Sequence, residues 1–240
     1  MELSQPIYRL KRRARLLSRS EGIPLHAALD RIAREHGFRT WSLMVARAPA
    51  HVTRSAILSE LSPGDLVLLA GRPGQGKTLL SLELAAEAVK AGRSAVFFTL
   101  AYTTAEVWQC LTELGEDPRA FRTRLRIDTS DDISGAHIIR TLDTAAPGTV
   151  VIVDYLQLLD QNRQTPSLSE QVASLAAFAR ERGLIIVCLS QIQRSFDGAG
   201  KRVPDLGDVR LPNPLDLSVF SKACFVHDGR VAFGHMARGQ

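Results

Sequence analysis

Eight consecutive residues, Gly71-Arg72-Pro73-Gly74-Gln75-Gly76-Lys77-Thr78, constrain this chain more than any other stretch. They satisfy G-x-x-x-x-G-K-[ST] at every fixed position. Before them runs the apolar Leu66-Val67-Leu68-Leu69-Ala70, of strand length. After them Leu79 to Val89 is a good helix former. A strand, a glycine loop and a helix in that order form a phosphate-binding P-loop. The glycines let the backbone curl so that its N–H groups converge on one anion, and the helix N-terminus adds partial positive charge. Gly71, Gly74, Gln75, Gly76, Lys77, Thr78 and Leu79 are the expected nucleotide-binding residues. Lys77 would reach the β- and γ-phosphates, and the Thr78 hydroxyl would bind Mg²⁺.

The remaining totals set bounds. With 240 residues, 45% of them hydrophobic, the chain can build one sizeable core and a small appendage. No run approaches the ~18 apolar residues of a membrane span, and the basic N-terminus lacks an apolar signal region. Cys110, Cys188 and Cys224 are scattered, odd in number and without metal spacing. A cytoplasmic protein in a reducing compartment is expected, with no membrane partner. Charge is uneven: residues 1–60 hold 11 Lys/Arg against 5 Asp/Glu, residues 61–240 hold 19 against 20. The basic first quarter reads either as an arm for nucleic acid or as a solvated helix face.

Residues 1–50 read as a helical segment separate from 51–240. Ile7, Leu10, Ala14 and Leu17 recur at helix spacing. A second helix begins near Pro24 and ends at Gly37. A third runs from about Thr40 to Arg47. Ala33, Gly37 and Leu43 fall roughly where a helix-turn-helix wants its small residue, turn glycine and buried aliphatic. Ala48-Pro49-Ala50-His51 reads as a linker, and Leu58 to Asp65 as a turn. Beyond it strands and helices alternate. Strands are expected at Ser94–Leu100, Leu125–Asp128, Thr149–Asp154 and Leu184–Ser190. Helices are expected at Thr104–Leu114, Ile133–Ala145 and Ser167–Arg182. This alternation predicts an α/β fold with a mostly parallel sheet. Asp228-Gly229 predicts a closing hairpin.

Two strand ends carry candidate chemistry. Val150-Val151-Ile152-Val153-Asp154 ends in a carboxylate, which suits Mg²⁺ at the C-terminal edge of the sheet. Ile185 to Gln191 ends in Ser190-Gln191, and Gln191 is placed to sense a γ-phosphate. The loop from Ile192 to Leu217, with Arg194, Lys201, Arg202 and Arg210, suits a nucleic-acid backbone or is an ordinary surface loop.

The P-loop octet, Val153-Asp154-Tyr155-Leu156-Gln157-Leu158-Leu159 and Leu189-Ser190-Gln191-Ile192-Gln193-Arg194 together resemble the C-terminal motor domain of DnaB-type replicative helicases, within the RecA-like ATPases. The resemblance covers about residues 55–240. It implies a RecA-like P-loop NTPase fold behind a small basic helical segment, with ATP and Mg²⁺ as ligands. It further implies a homo-oligomer with ATP at subunit interfaces, and single-stranded DNA in a central channel. Lys77, Asp154, Gln191 and an arginine finger would be the catalytic set, and Arg238 is the candidate finger. One departure stands out. The family carries a catalytic glutamate just past its second strand, in a serine-leucine-glutamate run. Here Thr99-Leu100-Ala101 places Ala101 there, and Glu106 lies a helical turn on. General-base help is typically worth ~10²–10⁴-fold. Three readings stay open: a weakly hydrolysing DnaB-like ATPase on DNA, a working translocase with another carboxylate, and a regulatory module that holds nucleotide without turnover.

Overall fold

The computed structural model describes residues 7–47, 54–160, 166–198, 203–211, 213–227 and 230–236. The expected linker around Pro49, the tip of the Asp228-Gly229 turn and Arg238 lie outside them.

The main body is a seven-stranded sheet in the order β3-β2-β4-β5-β1-β6-β7. The strands are β1 (Leu66–Gly71), β2 (Ala95–Thr99), β3 (Leu125–Asp128), β4 (Val150–Asp154), β5 (Ile185–Gln191), β6 (Lys222–His227) and β7 (Arg230–His235). All pairings are parallel except the last, where β6 and β7 run antiparallel as the hairpin signal required. Parallel strands are covered on both faces, which explains their unbroken apolar runs. Alternate residues feed two cores. Val67, Leu69, Phe97, Ile152 and Val187 pack on one side with α5 (Lys77–Lys90) and α6 (Thr104–Glu113). Leu68, Phe98, Val151, Val153 and Cys188 pack on the other with α8 (Gly135–Thr141) and α9 (Leu168–Arg182).

Local chemistry sets the helix ends. Thr103 caps α6 and Ser167 caps α9, each in a reciprocal capping box, with Glu106 and Glu170 respectively. Gly183 ends α9 at φ 63°, a conformation that costs a side-chain-bearing residue more. Four details differ from expectation. The turn before β1 begins as a short helix, α4 (Arg54–Ser59), and α7 (Pro118–Phe121) is a single turn capped by Asp117. Helix α8 is shorter than its apolar periodicity suggests: Ser134 caps its start, and it stops at Thr141. The segment after β5 is also not structureless. It holds short 3₁₀ turns and an antiparallel bridge from Ile192 to Val209.

The N-terminal helices α1 (Ile7–Glu21), α2 (Leu25–Glu35) and α3 (Trp41–Arg47) share a small core of Leu10, Ala14, Ala28, Ile32, Trp41 and Met44. Trp41, Leu43, Met44 and Val45 of α3 are all buried. A helix-turn-helix would need this helix free to enter a groove. Here it is packed instead, and Leu43 belongs to the main core beside α5. Arg39 reaches Glu113 on α6 at 2.8 Å. No described helix is long and apolar enough to cross a membrane.

At the N-terminal edge of the sheet, Lys222 and Asp65 form a buried ion pair at 2.5 Å. Burial alone would raise the Asp65 pKa. Hydrogen bonds from Lys222, the Ser62 N–H and Ser221 outweigh it and hold the carboxyl below its ordinary value. Removing one member of such a pair strands the other charge in the interior. Lys222→Met should therefore cost about 3 kcal/mol in urea unfolding, and Lys222→Met with Asp65→Leu should recover much of it. The depressed Asp65 pKa stabilises the fold above the carboxylate range, and this contribution is lost as pH falls through its folded pKa.

Candidate nucleotide site

Four strand ends converge at the C-terminal edge of the sheet. Gly71 lies beside Gln191 in the β1–β5 register, and Thr99 lies beside Asp154 in the β2–β4 register. The sequence interval between these residues is long, but parallel topology places their ends on one rim.

The glycines have distinct reasons. A Cβ on Gly71 would sit 2.7 Å from the Val226 carbonyl oxygen, so no side chain fits between β1 and β6. Gly74 (φ 72°) and Gly76 (φ 83°) take left-handed conformations. Gly76 is the N-cap of α5 and offers it no side chain, which leaves first-turn N–H groups for an anion. Leu79 contributes backbone to that turn, while its side chain is buried in the main core. Gln75 is buried under the loop.

Lys77 donates to the Arg72 carbonyl oxygen at 3.2 Å. Burial lowers its pKa to about 8, helped by the nearby Arg72 cation and opposed by Asp154. Thr78 Oγ1 donates to Asp154 Oδ2 at 2.9 Å. Asp154 is only 5% exposed, and burial pushes its pKa up, against the pull of Thr78 and Lys77. A divalent cation beside Thr78 and Asp154 would compensate that desolvated carboxylate. Backbone donors, a buried cation and a hydroxyl–carboxylate pair fit a magnesium-bound nucleoside triphosphate.

Tyr102 is the residue the sequence did not assign. Its ring packs against the main core, and burial, with the charge of Asp154 nearby, raises its pKa. Only its place just after β2 hinted at this. Ala101 is exposed at the same strand end, with its N–H bonded to Thr99 Oγ1 at 3.1 Å. Glu106 is engaged in the cap of α6. It accepts from the Thr103 N–H at 2.8 Å and the Thr103 hydroxyl at 2.9 Å, and these bonds lower its pKa.

Gln191 connects the rim to the following segment. Its carbonyl oxygen accepts from the Arg210 N–H at 2.7 Å, and its side chain meets the Arg210 guanidinium at 3.5 Å. Gln157 donates to Ser190 Oγ at 3.2 Å and to the Arg210 carbonyl oxygen at 2.9 Å, while its own Oε1 is buried without a partner. Arg72 donates to the Ile192 carbonyl oxygen at 3.2 Å. The P-loop, the end of β5 and Arg210 thus form one hydrogen-bonded network. On the outer side of the loop, the Trp41 ring faces Gly74, 3.8 Å from where a Cβ would stand.

Residues 118–213 match the family described as the DnaB-like helicase C-terminal domain. The P-loop lies outside that stretch and stands on its own geometry. The replicative DNA helicase DnaB of Leifsonia xyli is 27% identical over 181 residues, covering 62% of this chain and 40% of that protein. The chain thus spans well under half the length of this curated relative. A DnaB-like replicative helicase, described with its interactions with primase, superposes with TM-score 0.56 at 20% identity over 68% of this chain and 47% of that one. A KaiC-like protein from the archaeon Pyrococcus horikoshii superposes with TM-score 0.51 at 18% identity over 69% of this chain and 74% of that one. The fold is that of the RecA-like ATPases, and the chain resembles the DnaB-type motor domain.

A pH dependence follows from Lys77. In the free protein its ammonium loses a proton near pH 8. A phosphate on the loop would hold that proton, so binding takes one up above pH 8. Triphosphate affinity should then fall as pH rises from 8 toward the ordinary lysine value, by up to about tenfold per unit. Calorimetry at pH 7 and 9, in buffers of different ionisation enthalpy, measures both the affinity and the proton. Affinity that is flat across this range would contradict the assignment.

Proposed function

We propose that this chain binds ATP with Mg²⁺ on its P-loop and acts on DNA in the manner of the DnaB-type helicases, with weak intrinsic hydrolysis. The observation that carries the reading is the rim itself: Lys77, the Thr78–Asp154 pair and Gln191 lie along one sheet edge, and Ala101 follows β2 where the resemblance expects a glutamate to orient water. Lys77 and the first-turn N–H groups would neutralise the phosphates. Thr78 and Asp154 would hold Mg²⁺, which when bound offsets charge on the β- and γ-phosphates. Gln191 would register the γ-phosphate and relay it through Arg210 and Gln157 to the segment after β5. Residues 51–240 would be the motor unit and residues 1–50 an appended helical one. Assembly as a cytoplasmic homo-oligomer, with ATP between subunits, Arg238 as the finger and single-stranded DNA as the track, extends the same reading.

A second reading is favoured by the engagement of Glu106 in its capping box. With no carboxylate supplied, nucleotide would be held without turnover, and the chain would act as a nucleotide-dependent DNA- or partner-binding regulator.

Steady-state hydrolysis with and without single-stranded DNA tests the proposal, beside Ala101→Glu and Lys77→Ala. Wild type should bind ATP but turn over slowly. Ala101→Glu should raise turnover by ~10²-fold or more, and Lys77→Ala should abolish binding. Robust DNA-stimulated turnover by wild type would point instead to a translocase with a carboxylate from elsewhere. No gain in Ala101→Glu would favour the regulator.

A further inference from the structure

Helix α1 carries charge that the nucleotide site does not use. It buries Leu10 and Ala14 against its neighbours. At about 100° per residue, Arg12, Arg15, Leu16 and Arg19 fall on the opposite side. All four are exposed, Leu16 at 59%.

The acids of this helical unit are committed elsewhere. Residues 7–47 hold 10 Lys/Arg against 3 Asp/Glu. Glu35 pairs with Arg13 at 2.7 Å, and Glu21 pairs with Arg31 at 2.5 Å. Asp30 accepts the Trp41 N–H at 2.8 Å and caps α3. Among the described residues no carboxylate faces Arg12, Arg15 or Arg19. The three guanidinium groups therefore form an unneutralised stripe about 10 Å long on a rigid helix. From Arg12 to Arg19 no aromatic residue interrupts the arginines to offer the base-stacking platform that single-strand surfaces use. A duplex keeps its bases stacked inside and presents about one phosphate charge per 1.7 Å of axis.

We propose that the outer face of α1 is a docking surface for the phosphate backbone of duplex DNA, distinct from the strand-end site. It is sequence-blind, since three arginines on a stripe reach phosphates and carry no base code. The packing of α3 against the P-loop at Trp41 and the Arg39–Glu113 pair with α6 fix this surface relative to the nucleotide site. The duplex would be held beside the motor, not inside its track. The assignment does not depend on whether ATP is hydrolysed.

The test uses the full chain and a triple variant, Arg12→Gln, Arg15→Gln and Arg19→Gln. Fluorescence anisotropy with a labelled duplex, and separately with a labelled single strand, is followed from 50 to 300 mM salt. The variant should lose at least about tenfold in duplex affinity, and its slope of log K against log salt should become shallower by about 2–3. Its thermal unfolding and its Lys77-dependent nucleotide binding should match wild type, because the arginines touch neither core nor P-loop. Lys77→Ala should keep duplex binding, which separates a failure of the nucleotide reading from a failure of this one. Unchanged duplex affinity and slope in the variant would overturn the proposal. So would stripe-dependent binding found only with single strands, or only with vesicles containing anionic lipid.

Discussion

Strand β1 has neither a free edge nor a free face, and the rest of the architecture depends on that confinement. It pairs with β5 on one side and β6 on the other, and its residues alternate between the two cores. A strand so held cannot slide, because a one-residue slip would turn each buried side chain to the other face. Its last residue therefore has one location, against the Val226 carbonyl, and only glycine fits it. The loop that follows begins from a fixed point. The positions of Lys77 and Thr78 relative to Asp154 are then consequences of sheet register, two strands away from where the P-loop starts.

That rim is electrostatically unfinished in the free protein. Lys77 is held short of full basicity and Asp154 short of full acidity, both chiefly through loss of water. Their mutual attraction offsets only part of this. Such a pair gains most from a ligand that brings negative charge to one and positive charge to the other, as a magnesium-bound triphosphate does. Tyr102 and Ala101 both follow β2 beside that site, the tyrosine packed on the main core and the alanine exposed.

Much of this was legible in the sequence. The octet 71–78 and the apolar runs ending in Asp154 and Gln191 gave away the glycine loop and the strand ends that meet on one rim, because parallel strands write continuous apolar stretches. Element ends were legible where a side chain caps them, as at Ser167, and misread where a cap competes with apolar periodicity, as at Ser134. That Tyr102 packs near Asp154 could not be read, since the two are far apart in sequence and meet only through the pairing of β2 with β4. The same holds for the network of Gln157, Ser190 and Arg210. Residues 33–43 looked like a helix-turn-helix because spacing alone does not reveal which face a helix buries. Arg238, lying outside the described residues, rests on the resemblance alone.

The contact of Trp41 with Gly74 lies on the boundary between the helices and the sheet. Gly74 belongs to the glycine loop after β1, and Trp41 belongs to the small core that holds α1, α2 and α3 together. Leu43, two residues on, is part of the main core. The short helices and the loop therefore share one packed boundary, with the indole standing between the glycine loop and the helical core.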